Sequence, residues 1–124
     1  THAEYHMMKR HNSFLLGSFQ DMEIVGFKSL FGHTYPNSEL TDALFRVERG
    51  VGRHPGTYAE GFRRGGLMAT YLIGPLLPLN PPFTRYLLEQ MGAKDVHLAF
   101  EDTAMKAYRA RVEEFRDEKR GYQY

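Results

Sequence analysis

The six histidines are the first residues in this chain whose chemistry stands out. His2 and His6 lie four apart, a spacing that on a helix presents two imidazoles to one metal ion, and His11 is the nearest third ligand. A small metal-dependent enzyme could be built on that trio. No helix-terminal signal surrounds it, so a solvated arm over residues 1–11 is the stronger expectation. The run Gly50-Val51-Gly52-Arg53-His54-Pro55-Gly56 has the glycine density of a phosphate loop. It lacks the G-x-x-x-x-G-K-[ST] order and comes after no strand pattern, so it reads as a connector. Arg63 and Arg64 read as a solvated pair, with lipid phosphates or a partner's carboxylates as the sharper alternative. His97 falls opposite an apolar alternation and reads as exposed. The chain has no cysteine, which removes disulfides, thiolate metal sites and thiol nucleophiles together. Neither H-E-x-x-H nor G-x-S-x-G is present. No catalytic, cofactor-binding or metal-binding residue is nominated, and the expectation is a chain without an active site of its own.

The elements that would carry these residues read as helices. At 124 residues, 42% hydrophobic, 25% charged and with a formal charge of +1, the composition suits one folded domain over residues 1–124 and disfavours nucleic acid as a partner. Residues 13–91 read as a helical core. Within it, Leu15, Phe19 and Met22, then Phe27, Leu30 and Phe31, recur at helical spacing, with Ser13 as a cap and a break near Gly26. Asn37 or Ser38 caps the next helix, which carries Leu40, Ala43, Leu44 and Val47 inward and an Asp42–Arg46 pair outward. Thr57-x-x-Glu60 has the form of a capping box opening a central helix, and Gly61, Gly65, Gly66 and Ala69 would form its narrow contact face. The apolar stretch Phe62–Leu88 reads as the centre on which the rest packs. Its most apolar run, Leu67–Leu79, is interrupted at Gly74-Pro75 and falls short of the roughly 20 residues a bilayer span needs. Asn80-Pro81 restarts a helix that ends near Gly92. Residues 95–100 alternate like an extended segment. A charged amphipathic helix over 102–120 then presents Met105, Tyr108, Val112 and Phe115 on one face. The fold class predicted is all-α, about five helices with an N-terminal arm. Thr1 in place of an initiator Met suggests a removed leader or a start inside a longer product.

Three short motifs resemble a known family in their order. Tyr35, Leu40, Ala43, Leu44 and Arg46 come first, then Phe62-Arg63, then Leu77-Pro78 with Phe83-Thr84-Arg85-Tyr86. The chain is similar here to subunit 7, the ubiquinone-binding protein family, of the cytochrome bc1 complex (ubiquinol–cytochrome c reductase, respiratory complex III). That resemblance implies a non-catalytic assembly subunit on the matrix side of the mitochondrial inner membrane. Its partners would be cytochrome b and the core subunits, with lipid headgroups as a further contact. Haem and ubiquinone would belong to the complex, with no ligand in this chain. The alternative is an accessory subunit of another mitochondrial membrane complex, complex I or ATP synthase.

Overall fold

The computed structural model describes residues 2–36 and 43–122. Strands dominate it, which overturns the all-α expectation. The described elements are β1 (His2–Tyr5), β2 (His11–Phe19), β3 (Met22–Leu30), β4 (Gly32–Tyr35), β5 (Phe45–Gly50), β6 (Ala59–Glu60), β7 (Phe62–Arg64), β8 (Leu67–Ala69), α1 (Leu76–Leu79), α2 (Pro81–Gln90) and α3 (Glu101–Arg116).

The centre is an antiparallel sheet in the order β3-β2-β5-β6. β2 and β3 form a tight hairpin from His11↔Leu30 to Phe19↔Met22, turned through Gln20 in the left-handed conformation. This hairpin replaces the amphipathic helix predicted over 13–31, and the reason is burial on both faces. Leu15, Phe19 and Ile24 join one core with Leu44, Phe45, Val47, Leu72 and Phe83. Leu16 and Val25 point the other way and pack with Tyr108 and Val112 of α3. A strand covered on both sides shows a continuous apolar run instead of alternation, and such a run contains helical spacings by chance. At about 25 cal/mol per Å² of apolar surface, double coverage makes this hairpin the main source of hydrophobic stabilisation.

The predicted centre, Phe62–Leu88, is peripheral by comparison. Leu72 and Phe83 are buried, while Leu67, Tyr71, Ile73 and Leu77 are exposed. The helix predicted to open at Thr57 does not form. Thr57 Oγ1 instead accepts the Ala59 amide at 3.2 Å in a turn before β6, and Glu60 is turned into the interior. Gly65 and Gly66 are the two-residue turn of the β7–β8 hairpin, with Gly65 at φ +59°. That is the turn chemistry Gly-Gly is suited to, not a helix contact face. The cap residues predicted at 37–38 and Asp42 of the Asp42–Arg46 pair lie outside the described residues. Arg46 itself belongs to strand β5, which turns Phe45 and Val47 inward and Arg46 and Glu48 outward.

Two helices form where they were expected. α2 starts at Pro81 after Asn80, although the Asn80 side chain makes no cap bond. Its amide is fully buried and spans to the sheet, accepting from Val25 N at 2.8 Å and donating to Val25 O and Leu76 O at 2.7 Å. α3 lays Tyr108 and Val112 on the hairpin, with Met105 and Phe115 beside them. Tyr108 donates to Glu23 O at 2.9 Å, and the Arg49 guanidinium donates to the carbonyls of Phe115, Asp117 and Arg120 around the C-terminal end of α3. The segment 95–100 forms no strand, and Phe100 is left exposed ahead of α3.

The predicted arm is ordered by pairing. β1 lies antiparallel to β4, from His2↔Tyr35 to Tyr5↔Gly32. β1–β4 therefore continues the ladder of β2–β3 after an interruption in which His6–Arg10, five residues, face Phe31 alone.

Candidate functional site

The interruption in the ladder lies beside a cleft of about 580 Å³, lined by Lys9, Arg10, His11, Asn12, Ser13, Lys28, Leu30, His33, Val51 and Pro55. Each wall comes from a different element: the excursion supplies Lys9 and Arg10, β2 His11, β3 Lys28, β4 His33. His11 and His33 have ring centroids 4.4 Å apart, and the His6 ring stands 6.1 and 6.2 Å from them. His33 is buried and His11 half-buried. Burial and neighbouring positive charge push both imidazoles below the ordinary histidine value, with Lys9 and His6 acting on His11, and His11, Lys28, His6 and His54 acting on His33. His11 Nε2 is closed off from solvent and has no hydrogen-bond partner among the described residues.

Behind this wall sits an ion pair. Lys28 Nζ donates to Glu60 Oε2 at 2.7 Å and to Gly52 O at 2.6 Å. The other oxygen, Glu60 Oε1, accepts from Thr70 Oγ1 at 2.8 Å and from Tyr71 N at 3.1 Å. Both charges have partners, so the pair is stable where it is buried, and losing one member would strand the other. It also ties β3 and β6 to the segment after β8. Arg53 is equally buried, donating from Nε to Gly61 O at 2.8 Å with its guanidinium over the Phe62 ring. Tyr35 stacks between His2 and His54, at 5.2 and 4.4 Å.

The structure thus brings two of the three predicted histidines together, His6 and His11, by strand pairing and not by helical spacing. His2 stands apart on β1, against Tyr35. Among the described residues, no three His, Asp or Glu side chains converge with metal-holding geometry. The Gly50–Gly56 run is a connector between β5 and β6, and its useful atom is the Gly52 carbonyl that holds Lys28. Arg63 is half-buried. It packs over Phe19 and donates to the Tyr86 hydroxyl at 3.2 Å, whereas Arg64 is exposed near the hairpin turn. His97 is exposed, as expected. Sequence reasoning misses Lys28, Glu60 and His33. A lysine and a glutamate 32 positions apart carry no local signal, but Gly65-Gly66 between Phe62-Arg63-Arg64 and Leu67-Met68-Ala69 is a legible hairpin. Reading it releases Glu60 from the supposed capping box.

Over 67 residues, 54% of the chain, the sequence is 40% identical to the lipid II isoglutaminyl synthase (glutamine-hydrolyzing) subunit GatD of Staphylococcus aureus (strain N315). That stretch covers 26% of the relative's length. No family model matches the chain. The similarity to a bacterial synthase subunit overturns the complex III resemblance. With it fall the assembly role in complex III or another mitochondrial membrane complex, the cytochrome b and core-subunit partners, and the inner-membrane address. Among the described residues, no helix is long and apolar enough to cross a membrane. The fold explains why the motifs mislead. The family they resemble is helical, whereas here Tyr35 ends β4 and Phe62-Arg63 opens β7, leaving only Leu77-Pro78, in the four-residue α1, and Phe83–Tyr86, in α2, on helices.

Proposed function

We propose that the chain works as part of a glutamine-using, amide-forming synthase, as a structural and ligand-holding element and not as the bearer of the nucleophile. The observation that carries this reading is the 40% identity over 67 residues with a subunit named for isoglutaminyl synthesis with glutamine hydrolysis. Covalent hydrolysis of a primary amide needs an activated nucleophile beside a base. The chain has no cysteine. In the cleft, Ser13 is buried and engaged, donating to Phe14 O at 2.7 Å and accepting from Val51 N at 3.3 Å. The nucleophile is accordingly assigned to another part of the enzyme. This chain contributes a rigid sheet and a cleft rich in basic and imidazole groups.

The test is native purification of the tagged chain from its own cells, followed by incubation with [amide-15N]glutamine. The expected result is no labelled ammonia from the isolated recombinant chain, and glutamine-dependent 15N transfer by the native assembly that depletion of the chain removes. Hydrolysis of glutamine by the isolated chain would refute the non-nucleophilic role. A native assembly without 15N transfer would refute the synthase assignment.

A further inference from the structure

The cleft between the excursion and the sheet has an unbalanced wall. Among the described residues, its lining includes Lys9, Arg10, Lys28, His11 and His33 and no Asp or Glu. Two carboxylates that neighbour its lining residues are committed elsewhere. Glu60 is closed on Lys28, and Glu4, the register partner of His33, stands 3.6 Å from the His2 imidazole. Lys28 reaches the wall already neutralised, so the uncompensated charge comes from Lys9 and Arg10 on the exposed excursion, where the Arg10 guanidinium rests over the Phe31 ring. The two imidazoles line the same cleft, and His11 Nε2 is a buried polar atom without a partner among the described residues. Buried polar groups are normally satisfied, so His11 keeps hydrogen-bonding capacity in reserve behind the cleft wall.

We propose that this cleft binds the phosphate group of a small molecule, held by Arg10 and Lys9 at the mouth and by His11 and His33 within. The donors come from three elements, the excursion, β2 and β4, which suits a tetrahedral oxyanion with acceptors on all sides better than the two oxygens of a carboxylate. A cleft of about 580 Å³ leaves room for the remainder of the ligand. Binding is coupled to protons. Without an anion, burial and the neighbouring positive charge of Lys9, Lys28, His6 and His54 disfavour charging of the adjacent rings; with one, the counter-charge is supplied and a protonated ring donates from both nitrogens. The inference does not depend on the chain's role in glutamine chemistry.

Sulfate is the probe of choice, since it stays a dianion across the range and leaves any pH dependence to the protein. Titration of the folded chain with sodium sulfate, monitored by imidazole NMR signals, should raise the apparent pKa of His11 and His33. Affinity should tighten by about tenfold for each pH unit between 7 and 5.5 in which one proton is taken up. Inorganic phosphate should compete, and sodium chloride at matched ionic strength should do nothing. His33→Phe should weaken the pH dependence and leave only the contribution of His11. Where that variant fails to fold, Arg10→Gln, on the exposed excursion, should weaken sulfate binding at least fivefold with the imidazole signals of the fold intact. Histidine signals that ignore sulfate, or respond equally to chloride, would overturn the proposal. Acetate binding as tightly as sulfate would overturn the phosphate assignment.

Discussion

Asn80 carries more of the fold than its sequence position suggests. It reads as a helix cap, yet its side chain bonds to both polar groups of Val25 and to the Leu76 carbonyl, joining the start of α2 to the middle of β3. Asn80→Ala would leave three backbone groups without these partners, two of them on Val25, a residue with no exposure. Each costs about 1–3 kcal/mol when stranded, and some will find water. The expected loss is about 3 kcal/mol of unfolding free energy in urea, with α2 the first element to gain amide exchange. Asn80→Asp keeps the acceptor toward Val25 N and loses the donor, so it should not restore stability. Asn80→Ala within about 1 kcal/mol of wild type would show that the amide is dispensable. Lys28 and Glu60 make the same point about charge: neither is unusual in the sequence, and only the fold makes each the other's necessary partner.

At the scale of elements, glycines separate the predicted architecture from the observed one. Gly17 sits in β2 at the register shift against β5, and a Cβ there would meet Arg46 O at 2.4 Å. Gly65 has open space around it, and only its left-handed φ of +59° resists substitution. Gly17→Ala should therefore cost about 2 kcal/mol or more through displaced backbone, and Gly65→Ala about 1 kcal/mol through backbone strain. Thermal unfolding of the two variants side by side checks the ranking, and the reverse order would contradict the β2–β5 register. Bulk at position 65 disturbs no packed face, contrary to what a helical glycine seam implies. The same scale explains what is legible in the sequence. Asn80-Pro81 and the stripe Met105, Tyr108, Val112 and Phe115 are signals contained within their own helices, and both helices form. Leu15, Leu16, Ile24 and Val25 are adjacent residues that serve opposite cores, so their pattern names neither helix nor strand. Around the cleft, His6 and His11 stand out in the sequence only as companions of His2, whose four-residue spacing from His6 the fold does not use. Lys28 and His33 escape notice because strand pairing, not local pattern, brings them there.

For the whole molecule, the clustered imidazoles make stability depend on pH. His11 and His33 have folded values below the ordinary 6.5, so the unfolded chain takes up protons that the folded chain refuses. The stability they confer is complete above about pH 6.5 and is lost as pH falls below it toward their folded values. Melting temperature in a chloride buffer should hold between about pH 7.5 and 6.5 and decline from there to about pH 5. His33→Phe should flatten that decline. An equally steep fall in the variant would place the acid sensitivity elsewhere.

The excursion at His6–Arg10 has a consequence for how this ladder can change over evolutionary time. Five residues stand opposite one, and both ends of the excursion are fixed by pairing, Tyr5 to Gly32 and His11 to Leu30. A paired residue shares the face of its partner, so the ladder and not the length of the excursion decides which side chains of β1 face which way. Insertions and deletions between the two anchors therefore leave His2 against Tyr35. The rim of the cleft can gain or lose residues while the strands behind it keep their register.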